Sequence, residues 1–299
     1  MIKKISVLML AALMTCVFAS SARCGSPLAE DASAAGYLSL ISSLTRIEKR
    51  EDALRYIGEA LEIFPRSTLV PVLRFGAGEI NNKLSKWYPA AYNYQKFLFE
   101  NQAGLDSKYL RSIYKQLKLD EGALGMPDLK DARKKMEYIL KAESSKADFI
   151  TEIERGSASQ DFVYYLWGYR MYLLNDYTGA IDLFNKVLSA RDSSDKNIVA
   201  EAEKYLQKSY DKMAEKEYQT GVFYLRRKKY SSALIYFQSV VAVSTDNIWV
   251  VPSWYNSARC CFMLSRDEEA IGYIESIKAS GNTEYAAKAE KLLKAVKNK

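Results

Sequence analysis

YYLWGYRMYLLNDYTGAIDLFNKV, residues 164–187, decides how the rest of the chain is read. Tyr164-x2-Trp167-Gly168-x2-Met171 is followed by Ala180-x3-Phe184, so large side chains recur at helical spacing around two small residues set twelve apart. Gly168 on a first helix and Ala180 on a second let two antiparallel backbones approach closely, while Tyr164, Trp167 and Phe184 fill the space beside them. Such a hairpin leaves an apolar face uncovered, and so implies neighbours of the same kind.

The same spacing returns on both sides. Tyr37, Leu40 and Leu44 precede Ala53-x3-Ile57, Ala60, Leu61 and a closing Pro65, which gives a hairpin over Ala34 to Ser67. Gly78 and Ala90 are again twelve apart within Pro71 to Gly104, with Ala90-x3-Tyr94 after them. Residues 105–160 predict one helix through Tyr109, Leu110, Ile113, Tyr114 and Leu117 and a second through Ala132, Met136, Ile139 and Leu140. Gly122, Gly125 and Pro127 mark an expanded turn between the two. Val199, Ala202, Leu206, Tyr210 and Met213 share a face of a helix with no stop signal before Lys229, a rod on the order of 45 Å at ~1.5 Å per residue. Gly221 and Ala233-x3-Phe237 build the next hairpin, and Trp254, Ala258, Cys261 and Ala270-x3-Ile274 the one over Val251 to Glu284. An amphipathic tail carries Tyr285, Ala289, Leu292, Leu293 and Val296 opposite lysines.

Key alanines at 53, 90, 132, 180, 233 and 270 thus resemble those of the tetratricopeptide repeat. The resemblance implies an all-α fold: an α-solenoid of five to six helical hairpins closed by a C-terminal capping helix. The expected organisation is a signal peptide over 1–22, a tether over 23–33, N-terminal helical repeats over 34–160 and C-terminal repeats with the cap over 161–299.

Met1 to Ala22 reads as a charged start, an apolar run from Ile5 to Ala19 and a small-residue exit, the pattern of a secretory signal. It implies export across the inner membrane to the periplasm. Cys24 stands where a lipid-acceptor cysteine would, before the small, polar stretch GSPLAEDASA, and is the favoured lipidation site for an outer-membrane anchor. Cys16 is the other candidate, and plain cleavage after Ala19 or Ala22 the third reading.

The 299 residues are 48% hydrophobic and 26% charged, a globular composition. Removing Lys3 and Lys4 with residues 1–22 lowers the formal charge from +7 to +5. Lysines are scattered, with small clusters at Arg226 to Lys229 and over the last helix, so they read as solvated faces and not as a nucleic-acid footprint. Histidine is absent, which removes the commonest general base and metal ligand. No Gly-rich phosphate loop and no Cys-x2-Cys pair is present, and the vicinal Cys260 and Cys261 read as packing thiols. These features argue against an enzyme, a cofactor or a metal site.

In stacked repeats the first helix of each hairpin lines the concave face. Register from the key alanines directs Phe162, Tyr165, Tyr169 and Tyr172 toward it, then Tyr218 and Arg226, then Tyr255 and Arg259. Tyrosine with arginine is the composition of a protein-binding surface. The expected partners are therefore proteins.

DKMAEKEYQTGVFYLRRKKYSSALIYFQSVV at Asp211 to Val241, together with DFVYYLWGYRMYLLNDY at Asp161 to Tyr177, resembles the BamD (YfiO) family of outer-membrane β-barrel assembly lipoproteins. Coverage is good over 161–299, generic over 34–104 and poor over 105–160. Where the family carries a Tyr-Pro closure this chain has Val243-Ser244, and Tyr236 stands where the family places a basic residue. The resemblance implies a non-enzymatic envelope scaffold that docks the barrel-assembly protein through its C-terminal repeats. The alternative is a periplasmic partner of a solute transporter or of another envelope complex.

Overall fold

The computed structural model describes residues 27–119, 121–155, 160–190, 195–243 and 247–297. Cys16, Cys24 and the leader lie outside the described residues. All regular structure among the described residues is helical. The chain divides into two compact units, 1–173 and 174–299.

The first unit holds α1 (Pro27–Arg46), α2 (Arg50–Ile63), α3 (Val70–Lys83), α4 (Trp87–Glu100), α5 (Ser107–Leu117), the one-turn α6 (Glu121–Leu124), α7 (Leu129–Lys141), α8 (Lys146–Arg155) and α9 (Gln160–Leu173). The second holds α10 (Tyr177–Ser189), α11 (Lys196–Arg226), α12 (Tyr230–Val243), α13 (Val250–Met263), α14 (Asp267–Ala279) and α15 (Thr283–Lys297). From α10 to α15 each helix packs on the next, and α15 also lies on α13. Packing on sequence neighbours is the mark of stacked hairpins, so the tetratricopeptide-like all-α reading holds. At 31 residues α11 is about 46 Å long, as its unbroken pattern predicts.

Glycine at the predicted positions has a visible cause. A Cβ on Gly78 would sit 2.6 Å from the Tyr94 ring, and one on Gly221 2.6 Å from the Phe237 ring. Each glycine therefore packs against the aromatic four residues beyond the key alanine, and the ring fills the space that the missing side chain leaves. Gly168 and Ala180 are both buried, the first in one unit and the second in the other.

Three-residue turns join successive helices at five places, and each has its middle residue in the left-handed region: Glu48 (φ 62), Ser85 (φ 56), Asn175 (φ 64), Lys228 (φ 60) and Ser265 (φ 55). In four of them the third residue's N–H reaches back five residues. Lys49 donates to the Leu44 carbonyl, Lys86 to Asn81, Lys229 to Tyr224 and Arg266 to Cys261, at 2.9 to 3.0 Å. This is the Schellman closure, which satisfies helix-end carbonyls but favours glycine at the left-handed position. None of the five is glycine. Lys228 is exposed, so Lys228→Gly is expected to raise the stability of the second unit by about 0.5 kcal/mol, the left-handed cost less the unfolded-chain entropy. Lys228→Val is expected to lower it by about 1 kcal/mol, because a β-branched residue tolerates this backbone worst. Urea midpoints should rank Gly above Lys above Val.

Two expectations need correction. The stretch read as a tether over 23–33 is helical from Pro27 onward. Asp31 explains why it is held: its carboxylate accepts from Ser67 Oγ at 2.7 Å, and from the Thr68 N–H and Oγ1 at 2.8 Å. Nor do the helices over 105–160 form a nested pair. α7 packs on α4, whereas α5 and α6 pack on α1, α6 also meeting α3. The cause is the intervening segment, whose Leu119 and Leu124 are buried in the α1 to α3 core. Tyr114 Oη donates to the Gly125 carbonyl, and Gly125 (φ 71) lies so close to Phe75 and Glu79 that no Cβ would fit. What reads as an expanded turn thus contributes Leu119 and Leu124 to the core.

α7 also completes a buried polar network. Glu79, 8% exposed, accepts from Tyr94 Oη and from Lys135 Nζ, both at 2.6 Å, and Lys135 continues to Asp131 at 2.8 Å. The carboxylate thus has partners from two other helices, as a charge in the interior requires.

Candidate functional site

In the first unit, the tyrosine ladder expected on an open face is largely interior. Phe162 and Tyr165 are 1% exposed and Tyr169 3%. Phe162 lies 4.6 Å from the Tyr92 ring and 6.1 Å from Phe99, and Tyr165 stacks on Tyr169, centroids 6.3 Å apart. Tyr169 Oη donates to Glu137 Oε1 at 2.7 Å. Only Tyr172, stacked on Tyr169, is half-buried. Spacing along α9 sets the direction of these rings correctly; what it cannot show is that Tyr92 and Phe99 of α4 already occupy that direction. Phe162, Tyr165 and Tyr169 therefore belong to the core and offer no binding surface.

In the second unit the predicted residues do gather, and others join them. Tyr218 of α11 receives a hydrogen bond from Asn256 Nδ2 at 3.2 Å, and Asn256 Oδ1 accepts from Arg259 at 3.1 Å. One asparagine thereby positions both a phenol and a guanidinium. Arg259 lies over Tyr255 at 5.9 Å, Tyr255 meets Tyr285 of α15 edge to face at 5.8 Å, and Lys288 stands 4.4 Å over the Tyr285 ring. Trp249, at the start of α13, tilts onto Tyr218 at 4.9 Å.

The members of this cluster also act on the Tyr218 hydroxyl. Burial raises the Tyr218 hydroxyl above its ordinary value and Tyr285 adds to the rise, while the Asn256 hydrogen bond, Arg259 and Lys288 oppose it. Lys288 is paired with Glu284 at 2.6 Å. Arg259 is exposed and has no carboxylate within ion-pair distance among the described residues. The arrangement is a cation on a rigid aromatic floor, able to take a carboxylate with a forked pair of hydrogen bonds.

Arg226 does not join this group. It is exposed at the end of α11. Sequence reasoning missed Trp249, Tyr285 and Lys288 as members: Trp249 precedes its helix and carries no repeat signal, and α15 reads only as a cap. The joint membership of Tyr218, Tyr255 and Arg259 was legible from the repeat register.

Cys260 and Cys261 are buried free thiols, with burial pushing Cys260 up to about 12. Their packing role stands. Among the described residues no group of three or more Cys, Asp or Glu could hold a metal ion, and no helix is long and apolar enough to cross a membrane.

No protein-family model matches the chain, and no curated protein matches it. Similar solved structures include NprR in complex with its cognate peptide NprX, 13% identical, covering 87% of this chain and 70% of that one at a TM-score of 0.26. The P58(IPK) TPR domain is 15% identical, with 95% and 86% covered and a TM-score of 0.26. Superposition this loose transfers neither fold nor function, so the class of the protein rests on its own helical hairpins.

Proposed function

We propose that this chain is a non-enzymatic cell-envelope scaffold that binds a protein partner through the Tyr218, Tyr255, Asn256 and Arg259 surface of the second unit, in the assembly of outer-membrane β-barrel proteins. The observation that carries the binding role is Arg259, an exposed guanidinium oriented by Asn256 and set over Tyr255, with no carboxylate paired to it among the described residues. A surface built in this way selects an acidic side chain flanked by apolar groups, because the forked hydrogen bond and the aromatic floor act together. The assembly role is supported by the likeness of Asp211 to Val241 and Asp161 to Tyr177 to the BamD family. Export to the periplasm and anchoring by lipid at Cys24 are part of the same proposal, and mass spectrometry of the mature N-terminus reads both.

Affinity capture from cross-linked envelopes tests it. The wild-type chain is expected to recover a β-barrel assembly protein. Arg259→Glu is expected to cut that recovery about thirtyfold, a loss of about 2 kcal/mol typical of a central interface arginine, without changing helicity. Recovery of a solute-binding protein and no β-barrel assembly partner would reject the proposal in favour of the transporter reading.

A further inference from the structure

The turn between α11 and α12 carries a second surface of different chemistry. Residues 218–245 contain no Asp or Glu, yet Arg226, Arg227, Lys228 and Lys229 follow one another within them. All four are exposed, and among the described residues none forms an ion pair. The turn holds them out rigidly: the Arg227 and Lys229 N–H groups both donate to the Tyr224 carbonyl, at 3.1 and 3.0 Å, and the Lys228 N–H to Leu225 at 2.9 Å.

Phe223 precedes Arg226 and Arg227 by three and four positions, so the three side chains share one face of the last helical turn. Phe223 is 46% exposed, and the Arg227 guanidinium lies 4.0 Å over its ring. Its edge meets Tyr224, which stacks on Tyr236 with centroids 5.2 Å apart and planes 6° apart. Water thus faces a phenylalanine backed by two stacked phenols, covered on one side by Arg227 and followed in the chain by three further exposed cations.

We propose that this hairpin tip is a peripheral membrane contact that takes anionic phospholipid headgroups. Charge complementarity selects an anionic occupant, and the exposed ring selects a bilayer: cations sit among phosphates while Phe223 enters the boundary between headgroups and acyl chains. An acidic protein surface would neutralise the cations equally well but would leave that ring without a role. The contact is separate from the Arg259 surface and does not depend on the partner assigned there.

Binding of the full chain to phosphatidylcholine vesicles with and without phosphatidylglycerol tests the inference. The quantity read is the ratio of the two affinities, which cancels any binding common to both vesicles. At low salt the ratio is expected to exceed about 10, since each surface cation contributes roughly fivefold before screening, and to collapse at high salt. Replacing Arg226, Arg227, Lys228 and Lys229 together by Ser is expected to abolish most of the ratio. Phe223→Ser is expected to weaken binding to the anionic vesicles about tenfold. Lys291→Ser with Lys294→Ser, which removes charge from α15, is expected to leave the ratio intact. Circular dichroism checks the fold, and Arg226→Gln with Arg227→Gln reads the same ratio if the fourfold variant unfolds. A wild-type ratio near one, a ratio retained by the turn variants, an equal loss in the α15 variant, or displacement from vesicles by soluble polyglutamate unaffected by Phe223→Ser would each overturn it.

Discussion

Arg170→Ala is expected to lower the stability of the first unit by about 3–5 kcal/mol, through a lost carbonyl donor and the space it vacates. Arg170 is 1% exposed. Its guanidinium donates through one terminal nitrogen to the Leu140 and Ala142 carbonyls and to Ser145 Oγ, and through the other to Glu143 Oε2 at 3.2 Å. Leu140 is the penultimate residue of α7 and Ala142 follows its end, so these are carbonyls that helix geometry leaves without intrahelical partners. The cation also sits at the negative end of the α7 dipole. Burial lowers the Arg170 pKa and Glu143 partly restores it. Because the Glu143 side chain is 79% exposed, water screens that ion pair. The carbonyls therefore supply most of the stabilisation.

Three variants separate these contributions. Arg170→Ala takes the side-chain donor from the buried Leu140 carbonyl, leaves the Ala142 carbonyl to Ser145 alone, and empties the space beside Trp167, over which the guanidinium lies at 5.3 Å. Arg170→Lys keeps the charge but not the fork, and is expected to cost about 2 kcal/mol. Glu143→Ala is expected to cost less than about 1 kcal/mol. Urea unfolding followed by tryptophan fluorescence gives the order. If Glu143→Ala cost as much as Arg170→Ala, the ion pair and not the helix end would be what Arg170 holds.

Gly221→Val is expected to destabilise the second unit by about 2–3 kcal/mol. The Cβ alone would lie 2.6, 2.8 and 3.0 Å from three ring atoms of Phe237, which is fully buried and has no free side to move into. Helix propensity works in the opposite direction, since valine is a better helix former than glycine by a few tenths of a kcal/mol; the clash wins by a wide margin. Phe237→Ala alone is expected to cost about 3–5 kcal/mol through the cavity it opens. Together the two should cost at least 1 kcal/mol less than their sum, because the valine occupies part of that cavity. Strict additivity would show that the glycine is required for backbone conformation and not for the ring.

The sequence made the helices legible because their signals are local. Four Asp residues cap helix N-termini where the pattern starts: Asp106, Asp128, Asp176 and Asp195 each accept from N–H groups two or three residues on. The glycine and alanine spacing at 78 and 90 and at 221 and 233 located true nesting points. The pattern over 105–160 misleads because glycine and proline signal a turn whether it stays in water or, as here, buries its own Leu119 and Leu124. Arg170 gave no signal, since an arginine within a helix pattern reads as solvent-facing until another helix end is found above it.

What the sequence determined by itself is the all-helical class, the length of α11, the alanine-centred hairpins and the direction in which each side chain leaves its helix. Only the tertiary structure decided which directions were already filled: Phe162, Tyr165 and Tyr169 point into α4 and one another, whereas Tyr255 and Arg259, at equivalent positions, remain accessible. The physical reason is range. Helical periodicity fixes a side chain's angle from the residues within two turns of it, but burial is set by whichever helix crosses that angle, and α4 lies some sixty residues before α9 in the chain.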